Sequence, residues 1–246
     1  MKTDYDGIAD QYKESKLQPW RTYIEQYTLM QLVGDIQTQS VVDFACGEGY
    51  YTRRLKARGA ADVLGVDISE GMIKLAETEE RRSPLGIDYV AGDACKVELP
   101  RNFDLAFAAY FTCYAANESE LFSMAQAITR SLKPGGRFVT VTNDPLDSVE
   151  TFTTDNHYGF VKRVAGTLAD GAAIEWTFDV PDGSFTVTNY HLDKGAIENV
   201  LTRAGLCNIR WHTPELSPEG IAEKGEAYWT AFLKRPPITF LECHKK

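Results

Sequence analysis

The run Val41-Val42-Asp43-Phe44-Ala45-Cys46-Gly47-Glu48-Gly49-Tyr50-Tyr51 constrains this chain more than any other feature of it. An apolar strand pattern enters a loop with two glycines, and a helical pattern follows. Glycine lets the backbone turn at positive φ and lets a ligand come close where a Cβ would otherwise stand. Twenty residues after Gly47, Asp67 closes the next apolar strand. An acidic side chain there can accept both hydroxyls of a ribose at the carboxyl edge of a parallel sheet. An ordinary turn followed by an unrelated surface aspartate is the bland alternative, and the linked spacing argues against it.

The flanking pattern agrees. Apolar, non-alternating strands are predicted over 40–45, 63–66, 87–90, 105–109 and 138–142, separated by helices over 50–58, 71–80 with Ser69 as N-cap, and 118–131. Short strands of this kind alternating with helices belong to a parallel sheet covered on both faces. Two helices, 4–16 and 20–33, precede this core. Residues 151–192 read as a small antiparallel addition, with strands over 160–164, 174–180 and 185–192 and a hairpin at Pro181-Asp182-Gly183. The α/β pattern then resumes with helix 194–204 stopped by Gly205, strand 208–212, a helix over 220–233 and strand 238–243. One domain is expected over 1–246: a helical lid (1–35), a cofactor-binding core (36–150), an antiparallel substrate cap (151–192) and the rest of the core (193–246).

Composition narrows the partners. The net charge of −9 repels the phosphates a nucleic-acid binder must neutralise, and the cluster Arg53, Arg54, Lys56 and Arg58 reads as a solvated helix face. No segment reaches the roughly 20 apolar residues of a membrane span, and the opening lacks the basic and apolar regions of a secretory signal. A cytoplasmic protein with neither membrane nor nucleic-acid partner is the expectation. The five cysteines lie far apart and form no C-x-x-C pair, so free thiols are expected rather than a zinc site or disulfides.

The ligand can be narrowed further. A dinucleotide site asks for Gly-x-Gly-x-x-Gly, and Thr52 stands at the third glycine position. Asp43 and Glu48 would repel a pyrophosphate and attract an ammonium or sulfonium. These residues resemble the first motif of class I S-adenosylmethionine-dependent methyltransferases. Gly65-Val66-Asp67-Ile68-Ser69-Glu70-Gly71-Met72, Gly92-Asp93-Ala94 and Leu132-Lys133-Pro134-Gly135-Gly136-Arg137-Phe138 are similar to three later motifs, in order, so that the likeness covers residues 40–143. Ala45 departs from the family's commoner glycine.

The resemblance implies a Rossmann-like α/β fold, with a seven-stranded, mostly parallel sheet and helices on both faces, and S-adenosylmethionine as cofactor with no metal. It implies that Ala45, Gly47 and Gly49 pass the methionine part and that Asp43 lies near the ammonium. Asp67 holds the ribose, and Ile68 and Met72 meet the adenine. Asp93, beside Gly92 and Ala94, accepts from the adenine amino group. Ala109, Tyr110 and Phe111 form the floor between cofactor and substrate. An aminopropyl transferase would carry an acidic cluster after the fourth strand, where Ala108-Ala109-Tyr110-Phe111 has none.

Methyl transfer needs alignment and exclusion of water more than a dedicated nucleophile. In the helical lid, Tyr12 and Trp20 are expected over the cofactor, Arg21 at its carboxylate and Tyr5 toward the substrate. In the floor and the addition, Tyr114, Trp176 and Tyr190 are expected to stack on a planar substrate, and His157 is the candidate base. The opening segment 5–21 and the glycine loop are also similar to the N-methyltransferases of azapteridine (toxoflavin) biosynthesis. That likeness implies methylation of ring nitrogens on a small planar heterocycle, with O-methylation or an amine acceptor as the alternative. Oligomeric state is not legible.

Overall fold

The computed structural model describes residues 6–153 and 156–246. Strands β1 (Ser40–Phe44), β2 (Asp62–Asp67), β3 (Asp88–Ala91), β4 (Phe103–Ala109), β5 (Leu132–Asn143), β9 (Leu206–His212) and β10 (Ile238–Lys245) form one sheet in the order β3-β2-β1-β4-β5-β10-β9. All contacts among β1 to β5 are parallel, and β10 runs antiparallel between β5 and β9. The order reverses at β1, between β2 and β4. Their carboxyl ends therefore open a crevice of the kind in which open α/β sheets bind ligands.

Both faces are covered because β1 and β4 are apolar at successive positions. Val41, Leu105 and Phe107 face one core with Tyr51 and Leu55 of α3 (Tyr50–Ala57). Val42, Phe44, Ala106 and Ala108 face the other with Leu121 and Ile128 of α5 (Glu118–Ser131) and Val200 of α6 (Lys194–Arg203). α4 (Glu70–Arg82) starts at Ser69, whose hydroxyl caps the amide of Met72 as expected.

The predicted addition is a separate antiparallel sheet of β6 (Phe160–Val164), β7 (Ala173–Val180) and β8 (Gly183–Tyr190). Its inward face continues the first core through Phe160, Trp176, Phe178, Phe185 and Val187. Helix α1 (Ala9–Ser15) packs on this sheet, with Tyr12 edge-on to Phe185 at 6.1 Å. The Gln18 amide ties the following turn to it, donating to the Gly159 and Asp179 carbonyls at 2.7 and 3.1 Å.

Three expectations are corrected. After Pro19 the chain enters a π-helix, Arg21–Gln26, before α2 (Tyr27–Val33), and the wider turn accommodates two buried charged side chains, Arg21 and Glu25. The helix predicted over 220–233 is two, α7 (Pro218–Lys224) and α8 (Glu226–Lys234), broken at Gly225, whose φ of 76° no helix continues through. β5 starts six residues before the predicted 138, because Leu132 already pairs with Phe103, and the Lys133–Gly136 turn is an irregularity before the pairing resumes at Arg137 with Leu105. Among the described residues, no helix is long and apolar enough to cross a membrane.

Candidate active site

A cavity of about 400 Å³ lies over the carboxyl ends of β1, β2 and β4. This is within the range of small-molecule sites, roughly 300–1,000 Å³. The glycine loop forms one wall. Gly47 has φ 57°, and a Cβ built there would meet nothing within 4 Å, so the loop backbone faces open space that a ligand can fill. Ala45, with φ 54°, holds the same left-handed conformation at the cost a Cβ imposes. Gly49 is not on the wall. It begins α3 at φ 84°, and a Cβ there would stand 2.5 Å from the Tyr89 hydroxyl.

Asp67 lines the cavity from the end of β2. One carboxylate oxygen accepts the Gly47 amide at 2.8 Å and the other the Ser69 amide at 2.9 Å, so one side chain joins the glycine loop to the start of α4. Burial raises its pKa, against the pull of those amides. Ile68 is 67% exposed at the rim and Met72 is buried beneath it, an apolar pair at the place expected for adenine. Asp93 and Ala94 complete that end, Asp93 accepting the Cys95 amide at 2.9 Å and pairing with Lys96. Gly92 stands behind them, its amide donating to the Asp67 carbonyl at 2.8 Å. The floor is Ala109, Tyr110 and Phe111, with Tyr110 at φ 65° and Phe111 stacked on Phe44. Tyr12, Tyr114 and Tyr190 close the side under the lid and the addition.

Asp43 lies beneath the loop, 1% exposed, rather than on the wall. It accepts the Thr52 hydroxyl at 2.6 Å. Burial pushes its pKa up to about 7, assisted by Asp67 and Glu48 and opposed by the Thr52 hydrogen bond and by Lys16. The thiol of Cys46 is raised further by burial and the same carboxylates, which leaves it protonated and unsuited to nucleophilic work.

Several expected residues are elsewhere. Trp20 does not reach the cavity: it is buried among Phe160, Trp176 and Phe232, its indole N–H bonded to Gln18. Arg21 is fully enclosed, paired with Glu25 at 3.2 Å and set over the rings of Trp20 and Phe178. Burial alone would lower its pKa, but the Glu25 charge holds it above its ordinary value. Trp176 and Arg21 line a smaller, adjoining cavity instead. His157 is exposed, packed on Tyr158 and Tyr228 away from both cavities, so the structure does not bring the expected base to the site. Tyr5 lies outside the described residues.

The sequence reading missed the residues that organise the wall. Glu25, 0% exposed, accepts from the Tyr51 hydroxyl at 2.7 Å and from the Tyr110 hydroxyl, and pairs with Arg21. Lys16 is buried against the rings of Tyr12, Tyr51 and Tyr110. In a helical pattern both read as solvated charges. Glu120 and Thr188 also line the cavity; Glu120 is recognisable only as the partner of the Asn117 cap, its carboxylate accepting the Ala116 amide.

Residues 41–136 match the model of the family described as Methyltransferase domain. The fold is that of the class I methyltransferases, whose cofactor is S-adenosylmethionine, and the matched stretch is similar to their domain. The chain is 36% identical over 103 residues to squalene methyltransferase 1 of Botryococcus braunii, a match over 40% of this chain and 26% of that protein. It is 30% identical over 121 residues to a ubiquinone biosynthesis O-methyltransferase of Nitrosomonas europaea, over 47% and 49% respectively. Among these curated relatives the chain spans about half of their length at most. A solved structure of an S-adenosylmethionine-dependent methyltransferase from Mesorhizobium loti superposes with a TM-score of 0.64 at 22% identity, over 94% of this chain and all of that one, a likeness of fold.

Proposed function

We propose that this protein transfers a methyl group from S-adenosylmethionine to a ring nitrogen of a small planar heterocycle, of the kind found in azapteridine (toxoflavin) precursors. The reading rests on one observation: Gly47, Asp67, Ile68, Met72, Asp93 and Ala109, from four separate strand ends, converge on a single cavity of nucleoside size. In it Asp67 would take the ribose hydroxyls, Ile68 and Met72 the adenine faces, and the open backbone at Gly47 the amino-acid part. When bound, the cofactor supplies a methyl group made electrophilic by its sulfonium. The chain's own work is alignment and exclusion of water: Tyr110 and Phe111 set the floor while Tyr12, Tyr114 and Tyr190 enclose the acceptor. A heterocycle with acidic ring nitrogens needs no strong base, in keeping with a cavity that His157 does not enter. Incubation with S-adenosylmethionine and a panel of azapteridines, pterins, purines and phenols is expected to add one methyl group to a heterocycle, read by mass. Methylation of phenols alone would favour an O-methyltransferase, as the Nitrosomonas relative is named.

Asp43 gives a pH dependence. With its pKa near 7, the carboxyl is largely protonated at pH 6 and ionised at pH 8. A cationic ligand favours the ionised form, so binding releases a proton below that pKa and affinity rises with pH. The ratio of wild-type to Asp43→Asn affinity for S-adenosylmethionine is expected to rise about tenfold from pH 6 to 8, the limit for release of one proton. Taking the ratio cancels titration of the ligand's own amine. A flat ratio in calorimetry would remove Asp43 from the neighbourhood of the cation.

A further inference from the structure

We propose that the smaller cavity adjoining the cofactor site is a seat for one oxygen atom of the methyl-accepting molecule, a carbonyl or an ionised oxygen close to the methylated atom. This rests on the methyltransferase reading and extends it to the class of acceptor. The two cavities share Tyr12, Tyr110 and Tyr114 as a common wall. Behind that wall the small one has a volume of about 10 Å³, room for a single oxygen-sized group.

Its lining carries three donors without a hydrogen-bond partner: Nε of Arg21, Nε1 of Trp176 and Nδ2 of Asn189. The three residues are 2%, 2% and 3% exposed. They come from the π-helix, β7 and β8. A buried donor left without a partner costs roughly 1–3 kcal/mol, so three around one void are not explained by stability. Asn189 makes the point most clearly. It occupies the inward position of β8 that continues Phe185 and Val187, where the alternation calls for an apolar side chain.

The chemistry of the lining selects the guest. The fully buried side-chain atoms without a partner in this lining are all donors, and no carboxylate contributes to the wall. Arg21 keeps its charge, since NH1 binds Glu25 while Nε remains for a guest. Such a pocket accepts lone pairs and rejects ammonium groups. Aromatic rings of Tyr12, Tyr114 and Phe178 flank it. A planar ring lying in the wide cavity can thus place one oxygen between the three donors. Where that oxygen is conjugated to a ring N–H, the donors also stabilise the anion formed when the proton leaves to water, which acidifies the nitrogen without a base.

The test is binding to protein saturated with S-adenosylhomocysteine, followed by calorimetry, with three acceptor-bearing probes (lumazine, nitrophenolate and benzoate) and with pteridine, which has lumazine's rings but no carbonyl oxygen. Lumazine is expected to bind at least tenfold more tightly than pteridine. Asn189→Leu and Trp176→Phe are each expected to weaken lumazine about tenfold, the worth of one hydrogen bond, with pteridine and S-adenosylhomocysteine unaffected. Asn189→Leu also replaces an unpartnered amide with an apolar side chain on an apolar face, so it is expected to unfold at a higher temperature than wild type. The proposal is overturned if none of the three acceptor-bearing probes binds, if either variant retains wild-type affinity for lumazine, or if a crystal structure of the lumazine complex shows an ordered water on the three donors with the probe elsewhere. Failure of S-adenosylhomocysteine itself to bind strikes the methyltransferase reading and carries this proposal down with it; intact cofactor binding with indifferent donors defeats the proposal alone.

Discussion

Asp67→Ala lowers affinity for S-adenosylhomocysteine by two to three orders of magnitude, the largest loss expected at any cofactor position. Two charge-assisted hydrogen bonds to ribose hydroxyls disappear together, worth about 3–4 kcal/mol in sum, and each 1.4 kcal/mol is about tenfold in affinity. The substitution also releases the Gly47 and Ser69 amides, which the carboxylate holds. The glycine loop must then be ordered at the expense of binding energy. Asp67→Asn keeps an acceptor oxygen for one of these amides and should lose less. Calorimetric titration decides the matter, with circular dichroism confirming that the variants fold. An Asp67→Ala protein binding within threefold of wild type would mean that the ribose does not sit at the end of β2.

Glu25→Ala should be the most damaging single change to stability. It strands the guanidinium of Arg21 in a site with almost no solvent and removes the acceptor for two phenols, Tyr51 and Tyr110. Removing one partner of a buried ion pair costs about 3–5 kcal/mol, against a total stability of only about 5–15 kcal/mol for a typical domain. For a protein of this size that corresponds to a fall of roughly 10 °C in Tm. Glu25→Gln, which retains a carbonyl acceptor, should fall less. The loss is not confined to stability, because Tyr110 belongs to the cavity floor and its φ of 65° persists only while its surroundings impose it. Thermal unfolding read by circular dichroism is the check, and a Tm within 2 °C of wild type would show that the carboxylate does not hold the lid to the floor.

The glycine-loop wall of the cavity was legible from residues because backbone geometry fixes it locally. A strand, a turn that needs positive φ, and a helix must follow one another in sequence, so Gly47 and its neighbours announce the loop. The parallel register of β1 with β2, Asp43 opposite Gly65 and Phe44 opposite Val66, then carries Asp67 to the same edge. Ile68, Met72, Asp93 and Ala109 were expected at that edge from the resemblance to class I methyltransferases, and they line the same cavity. The inward alternation of β7 and β8 was equally plain.

What the chain could not disclose in one dimension was which charges are buried and what they face. Arg21 was expected at the cofactor carboxylate and Glu25 looks like a solvated charge on an amphipathic helix; only the π-turn and the sheet of β6 to β8 enclose the two as a pair. Trp20 and His157 looked like a lid and a base, and packing made one a core residue and left the other on the surface. Glu25 meets Tyr110 across 85 positions, and Arg21 meets Trp176 and Asn189 around one void from two distant segments, the π-helix and the β7–β8 hairpin. Sequence alone determined most of the elements, the parallel core and the edge where the glycine loop lies, since those depend on dihedral preference and the period of apolar residues. The smaller cavity and the buried charges beside it were decided by tertiary structure, since contacts between distant segments depend on how whole layers pack and leave no periodic trace.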